Sequence, residues 1–201
     1  MRRLRRGPRR RHLGHSAILL DAARRLVTAA LPPPHANRQH DLTQSTMPIN
    51  VFVSYDHDDQ NQVNGFKAIK YNPNHPLDFH DHSLAEPVTD RAGKPLRYPP
   101  SDPRSKPVRD AIMAKFERSS KLVVLIGSTT WSSEWVDWEI RTFYALKLAL
   151  SGHNTARRIR GMTLKGSDHA TPPPALARHA ASTLSWDPDA LDKWLDENPN
   201  G

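Results

Sequence analysis

Within residues 119–143, SSKLVVLIGSTTWSSEWVDWEIRTF, Glu139 is the side chain best placed to do chemistry. It follows Trp135 by four positions, so the two share one face of a helix, close to that helix's start. Ligands of open parallel sheets collect where strands end and helices begin, and a carboxylate there can stabilise positive charge that develops during a reaction. Other groups invite different chemistry. Asp56, Asp58 and Asp59 have the hard oxygen atoms that divalent cations prefer, but read more simply as a solvated acidic turn. His80 and His82 flank Asp81 and in an extended segment aim to one side, as a zinc pair does, yet no third ligand stands at a suitable spacing, so no metal site is assigned. Trp131, Trp135 and Trp138 offer a stacking surface for an aromatic ring or packing at a sheet edge, with Trp135 the one expected to meet a ligand.

The elements that must position these groups follow from apolar patterning. Residues 122–126 (LVVLI) are an uninterrupted apolar run, the mark of a parallel strand buried on both faces, and Gly127 ends it. Residues 128–133 are a polar connection rich in helix-capping types, and 135–150 carry apolar residues at helical spacing, with Glu134 at the favourable end of the helix dipole. Upstream, 49–55 predict a strand ending in the acidic loop, 60–71 a short helix and 77–80 a second strand. The stretch 86–106, with Pro87, Pro95, Pro99, Pro100 and Pro103, predicts a long loop and a candidate cover for a site. Residues 108–118 predict a helix, 159–164 and 182–186 strands, 175–181 a helical turn and 188–195 a closing helix. Strands alternating with helices predict an α/β, three-layer, flavodoxin-like fold around a five-stranded parallel sheet.

The 201 residues carry a net charge of +8, which first reads as a signal for nucleic acid. Ten of the 29 basic residues and two of the 21 acidic ones fall in residues 1–46, leaving 19 of each in 47–201. The charge therefore belongs to an N-terminal extension, 1–46, expected to be disordered, and not to the domain at 47–201. Because Met47 leads straight into a strand, it is read first as the natural start, with 1–46 as upstream sequence; a basic arm or a targeting or partner-binding segment are the other readings. There are no cysteines, so disulfides and thiol nucleophiles are unavailable. No run approaches the ~18 apolar residues of a membrane helix. GxGxxG, GxxxxGK[ST] and GxSxG are missing, which removes the usual support for dehydrogenase, NTPase and serine-esterase readings.

Val51-Phe-Val-Ser-Tyr55 with its acidic loop, Phe79-His-Asp-His-Ser-Leu84, the strand ending Leu125-Ile-Gly127, and Trp131, Trp135, Trp138 and Glu139 together resemble the TIR-like domains of bacterial Thoeris antiphage systems. The resemblance spans about residues 48–195 and includes Ser185-Trp186 and Trp194. It implies a TIR-type sheet and cleavage of NAD, as substrate rather than resident cofactor, at the nicotinamide–ribose bond, forming a cyclic ADP-ribose-type signal that switches on a separate effector. It also implies Glu139 as catalytic residue, with Ser54, Tyr55 and Asp56 on one strand-end loop and Asp81 and Ser83 on the next lining the nucleotide pocket. A cytoplasmic location, self-association or a phage-derived activator, and no membrane or nucleic-acid partner are the accompanying expectations. The alternative is a non-catalytic TIR-like interaction module, for which a helix rich in Trp and Tyr is suitable material.

Overall fold

Side chains alternate along a strand, so a strand apolar at every position needs cover on both faces. The computed structural model describes residues 49–84, 86–152 and 155–198. In it β1 (Asn50–Ser54), β2 (His80–Asp81), β3 (Lys121–Ile126), β4 (Ile159–Thr163) and β5 (Ser182–Leu184) form one sheet in the order β2-β1-β3-β4-β5. Every pairing is parallel. This is the flavodoxin-like order expected above, and every residue of β3 is buried. The extension 1–46 lies outside the described residues.

Alternation sorts the core into two layers. Val51, Val53, Val123, Leu125 and Met162 face Val63 and Phe66 of α1 (Gln60–Ile69) and Leu191, Trp194 and Leu195 of α5 (Pro188–Asp196). On the other face, Phe52, Leu122, Val124, Ile126 and Ile159 meet three helices: α2 (Lys106–Arg118), α3 (Glu134–Ser151) and α4 (Pro174–Arg178). They contribute Ile112 and Phe116, then Val136, Ile140 and Phe143, then Leu176. The α3 helix ends at Gly152, whose φ of 72° is costly for a residue with a Cβ and whose N–H closes on the Leu148 carbonyl.

Two buried lysines serve the helix ends. Lys121 opens β3, and its Nζ donates to the carbonyls of Trp194, Leu195 and Glu197 at the end of α5, where Trp194 O also accepts from Glu197 N. Lys147 Nζ likewise donates to Phe116 O at 2.7 Å, near the end of α2.

The edge differs from expectation. Residues 77–80 predict a strand, but only His80 and Asp81 pair with β1, and Leu77 and Phe79 are instead buried in the α1/α5 layer. Beyond Asp81 the ladder passes to a side chain: Ser83 Oγ accepts from Val53 N at 2.8 Å and donates to Val53 O at 2.9 Å. The long stretch 86–106 has two parts. Asp90 accepts from Ala92 N and Lys94 N inside a local turn bridged by Thr89 and Pro95. The other end is anchored: Ser105 Oγ donates to the Tyr98 and Pro99 carbonyls, and Arg109 donates to those of Pro100 and Asp102.

Candidate functional site

On β1, Phe52 and Ser54 point to the same side of the sheet, the side that α3 covers. On α3, Val136, Glu139, Ile140 and Phe143 occur at the i, i+3, i+4, i+7 spacing of one stripe, and all four are buried. Glu139 therefore occupies a core position of an otherwise apolar stripe and is 9% exposed. The two features bring together groups 85 positions apart: Ser54 Oγ donates to Glu139 Oε2 at 2.5 Å.

Burial pushes the Glu139 carboxyl up from 4.5 to about 7, and the Ser54 hydrogen bond opposes that shift without overcoming it. Beyond Ser54, Glu139 meets a cavity of about 200 Å³, which it lines together with Phe52, Val53, Tyr55, His57, Ser83 and Leu84. The cavity opens between the end of β1, the segment after β2 and α3. Its dimensions fit one ring with part of a sugar, being below the roughly 300–1,000 Å³ that encloses a whole drug-sized ligand.

The remaining expected site residues divide. Tyr55 and Ser83 line the cavity with Glu139, and Ser54 reaches it through its bond to the carboxylate. The Tyr55 hydroxyl is held by Gln60 Oε1 at 2.9 Å, and both bonds of Ser83 Oγ go to Val53, so these two shape the wall. Asp81 stands behind it: Lys67 Nζ lies 2.7 Å from its carboxylate, which also accepts from Ser83 N at 2.9 Å. These partners hold its pKa below the ordinary value despite burial.

Asp56 and Trp135 are not part of the cavity lining. Asp56 accepts from Asp58 N as the cap of the short 3-10 turn His57–Asp59. Trp135 turns its indole to Tyr98, N–H to carbonyl at 3.0 Å, and packs edge-on against Trp138. Sharing a helix face at i, i+4 does not put two side chains in one cavity when the chain wrapped over that face offers one of them a backbone acceptor. Nor do residues 86–106 contribute to the lining, so the long loop is not the cover of this cavity.

Phe52, Val53, His57 and Leu84 also line the cavity and were not expected there. Phe52 was available from its two-residue offset to Ser54, whereas His57 and Leu84 sit in irregular segments with no periodic signal. Between β1 and β3, where doubly wound sheets switch direction, the crevice is filled by the protein itself. Thr130 Oγ1 donates to Asp59 at 3.1 Å and accepts from Gly127 N at 2.8 Å, and a Cβ on Gly127 would lie 2.2 Å from the Asp59 carboxylate oxygens. Only glycine lets this carboxylate settle over the strand end. Among the described residues no group of three or more His, Asp or Glu is arranged to hold a metal ion.

Residues 52–156 match the family model described as Thoeris protein ThsB, TIR-like domain. That span includes Ser54, the wall residues Tyr55 and Ser83, and Glu139. None of the curated proteins matches the chain.

Proposed function

The chain belongs to the Thoeris ThsB TIR-like family, a family of antiphage defence, and from that premise we propose that it cleaves NAD at the nicotinamide–ribose bond. The observation that carries this reading is a single buried carboxylate, Glu139, bonded to Ser54 and open to a cavity the size of a ring with part of its sugar. Ordinary glycoside hydrolysis uses two carboxyl groups because the leaving oxygen must be protonated. Nicotinamide needs no such help. When the C1′–N bond breaks, its electron pair passes to the pyridinium nitrogen, and the ring leaves neutral. Positive charge is left on the ribose, and a carboxylate in a water-poor site stabilises it strongly.

In this reading Glu139 acts ionised, beside the ribose, held in place by the Ser54 hydroxyl. The ribosyl cation is then captured by water, which gives up a proton, or by a nucleophilic atom of the adenosine end of the same molecule, which gives a cyclic ADP-ribose-type product. That product is the proposed link to a separate effector. NAD is the substrate and the cytoplasm the proposed site of action, with self-association or a phage-derived activator as the trigger. No helix among the described residues is long and apolar enough to cross a membrane.

The test is release of nicotinamide from NAD by the full chain, alone and with lysate of phage-infected cells. Wild type releases it in at least one condition and Glu139→Gln in neither; equal release by the variant removes Glu139 from the mechanism. One observation favours a second reading, a TIR-like interaction module without turnover: the cavity is smaller than a dinucleotide. A wild type silent in both conditions, yet still associating with itself or with a protein partner, selects that reading.

A further inference from the structure

A second and larger cavity, about 560 Å³, lies elsewhere on the domain. It shares α3 with the Glu139 cavity but uses the opposite face: Asp137 and Arg141, two positions either side of Glu139, are turned roughly 160° away from it at 3.6 residues per turn. One ligand in the first cavity therefore does not also fill the second, and binding at the second is independent of any role of Glu139.

Three guanidinium groups line this cavity, each from a different helix: Arg109 of α2, Arg141 of α3 and Arg178 of α4. Arg141 is neutralised by Asp137, Nε to Oδ2 at 2.7 Å. Arg109 is fixed by two backbone carbonyls, Pro100 at 2.5 Å and Asp102 at 2.9 Å, which orient its charge without cancelling it. Arg178 is exposed and makes no hydrogen bond or ion pair among the described residues. The exposed Glu134 is the one carboxylate of the lining left unpaired within it, while Asp102, whose carboxylate is bonded to Arg104, also stands near enough to Arg109 to share its charge. Beside them stands Trp131, 52% exposed, with Trp138 also in the lining. Guanidinium groups recognise phosphate oxygens through paired N–H donors, and an open indole face accepts a base. The volume falls within the range of pockets that enclose small ligands.

We propose that this cavity is a second ligand site, for a nucleoside diphosphate: the base lies against Trp131, and the diphosphate is held by Arg109 and Arg178. Glu134 opposes the anion and weakens its binding.

The experiment titrates the full chain with ADP by calorimetry, with inorganic pyrophosphate as a parallel arm. Wild type binds ADP saturably and more tightly than pyrophosphate. Arg178→Glu and Trp131→Ala each weaken ADP by about tenfold or more, Glu134→Gln tightens it, and Glu139→Gln leaves it unchanged. Arg178 and Trp131 are exposed, so both variants keep the core intact. Absence of saturable ADP binding overturns the proposal. So does pyrophosphate binding as tightly as ADP, which would leave Trp131 no role. Binding that persists in both Arg178→Glu and Trp131→Ala, as attachment to the arginine-rich residues 1–46 would, also overturns it. Loss of binding in Glu139→Gln alone assigns ADP to the other cavity.

Discussion

Replacing Glu139 by glutamine tests its burial apart from any reaction. The folded protein holds the Glu139 carboxyl at about 7 against an ordinary 4.5, so between these pH values the folded state retains a proton that the unfolded chain has released. Stability must then fall as pH rises through that window, because the unfolded state binds fewer protons. A shift of two to three units at about 1.4 kcal/mol each gives a cost on the order of 3 kcal/mol, present in full above pH 7 and absent below pH 4.5. Glutamine keeps the shape and cannot ionise. Urea unfolding of both proteins from pH 4.5 to 8 is therefore expected to give near-equal stabilities at the acid end and a variant more stable by about 3 kcal/mol at pH 8. Other shifted groups, such as Asp59 and Asp192, are common to both proteins and cancel in the difference. Parallel curves across the range would refute the reasoning: Glu139 would then be solvated, and the main support for its catalytic role would go with its burial. A gain in stability joined to loss of nicotinamide release is the expected signature of a residue kept for function at the expense of the fold.

Ser54→Ala removes the hydroxyl that favours the ionised carboxylate, so the acidic limb of the kcat/KM profile for NAD cleavage is expected to move from near pH 7 to higher pH, with activity at pH 7 reduced; an unmoved limb separates Ser54 from Glu139. Gly127→Ala forces the Asp59 carboxylate off the end of β3, at about 1 kcal/mol, and the cost is expected to vanish in an Asp59→Ala background, as a double-mutant cycle of urea midpoints would record. Lys121→Ala removes the donor shared by three carbonyls at the end of α5; Trp194 O keeps Glu197 N, whereas Leu195 O loses its partner in a buried place. Destabilisation of about 2 kcal/mol is expected, with loss of hydrogen-exchange protection concentrated in α5.

How far the site could be read in advance depended on the range of the interaction. The segment from β3 into α3 is local: an apolar run, a glycine and a helical pattern identify the strand, its end and the helix, and they place Glu139 in the helix's second turn. The spacing of Val136, Ile140 and Phe143 around it also puts Glu139 in a buried stripe, a stronger signal than its offset from Trp135. The offset misled because α3 is overlaid near Tyr98 by the end of a proline-rich stretch whose path no local pattern reveals. The edge strand was misplaced for a similar reason. Leu77 and Phe79 have strand-like character, yet they fill the α1/α5 layer, and pairing begins only at His80.

By itself the sequence determined the α/β class, the central buried strand, the neutral domain apart from its basic extension, and the candidacy of one glutamate, since all of these are carried by composition and by periods of two and 3.6 residues. Only the tertiary structure decided that Glu139 faces Ser54, that Ser83 completes the ladder of β1 and shapes the cavity wall, and that Asp59 closes the β1/β3 crevice. Each of those contacts joins residues far apart in the chain, and sheet order, not local pattern, determines which strand end a helix side chain meets. The same order determines the size of the cavity at Glu139. A carboxylate is costly to bury, and the fold keeps this one buried beside an opening.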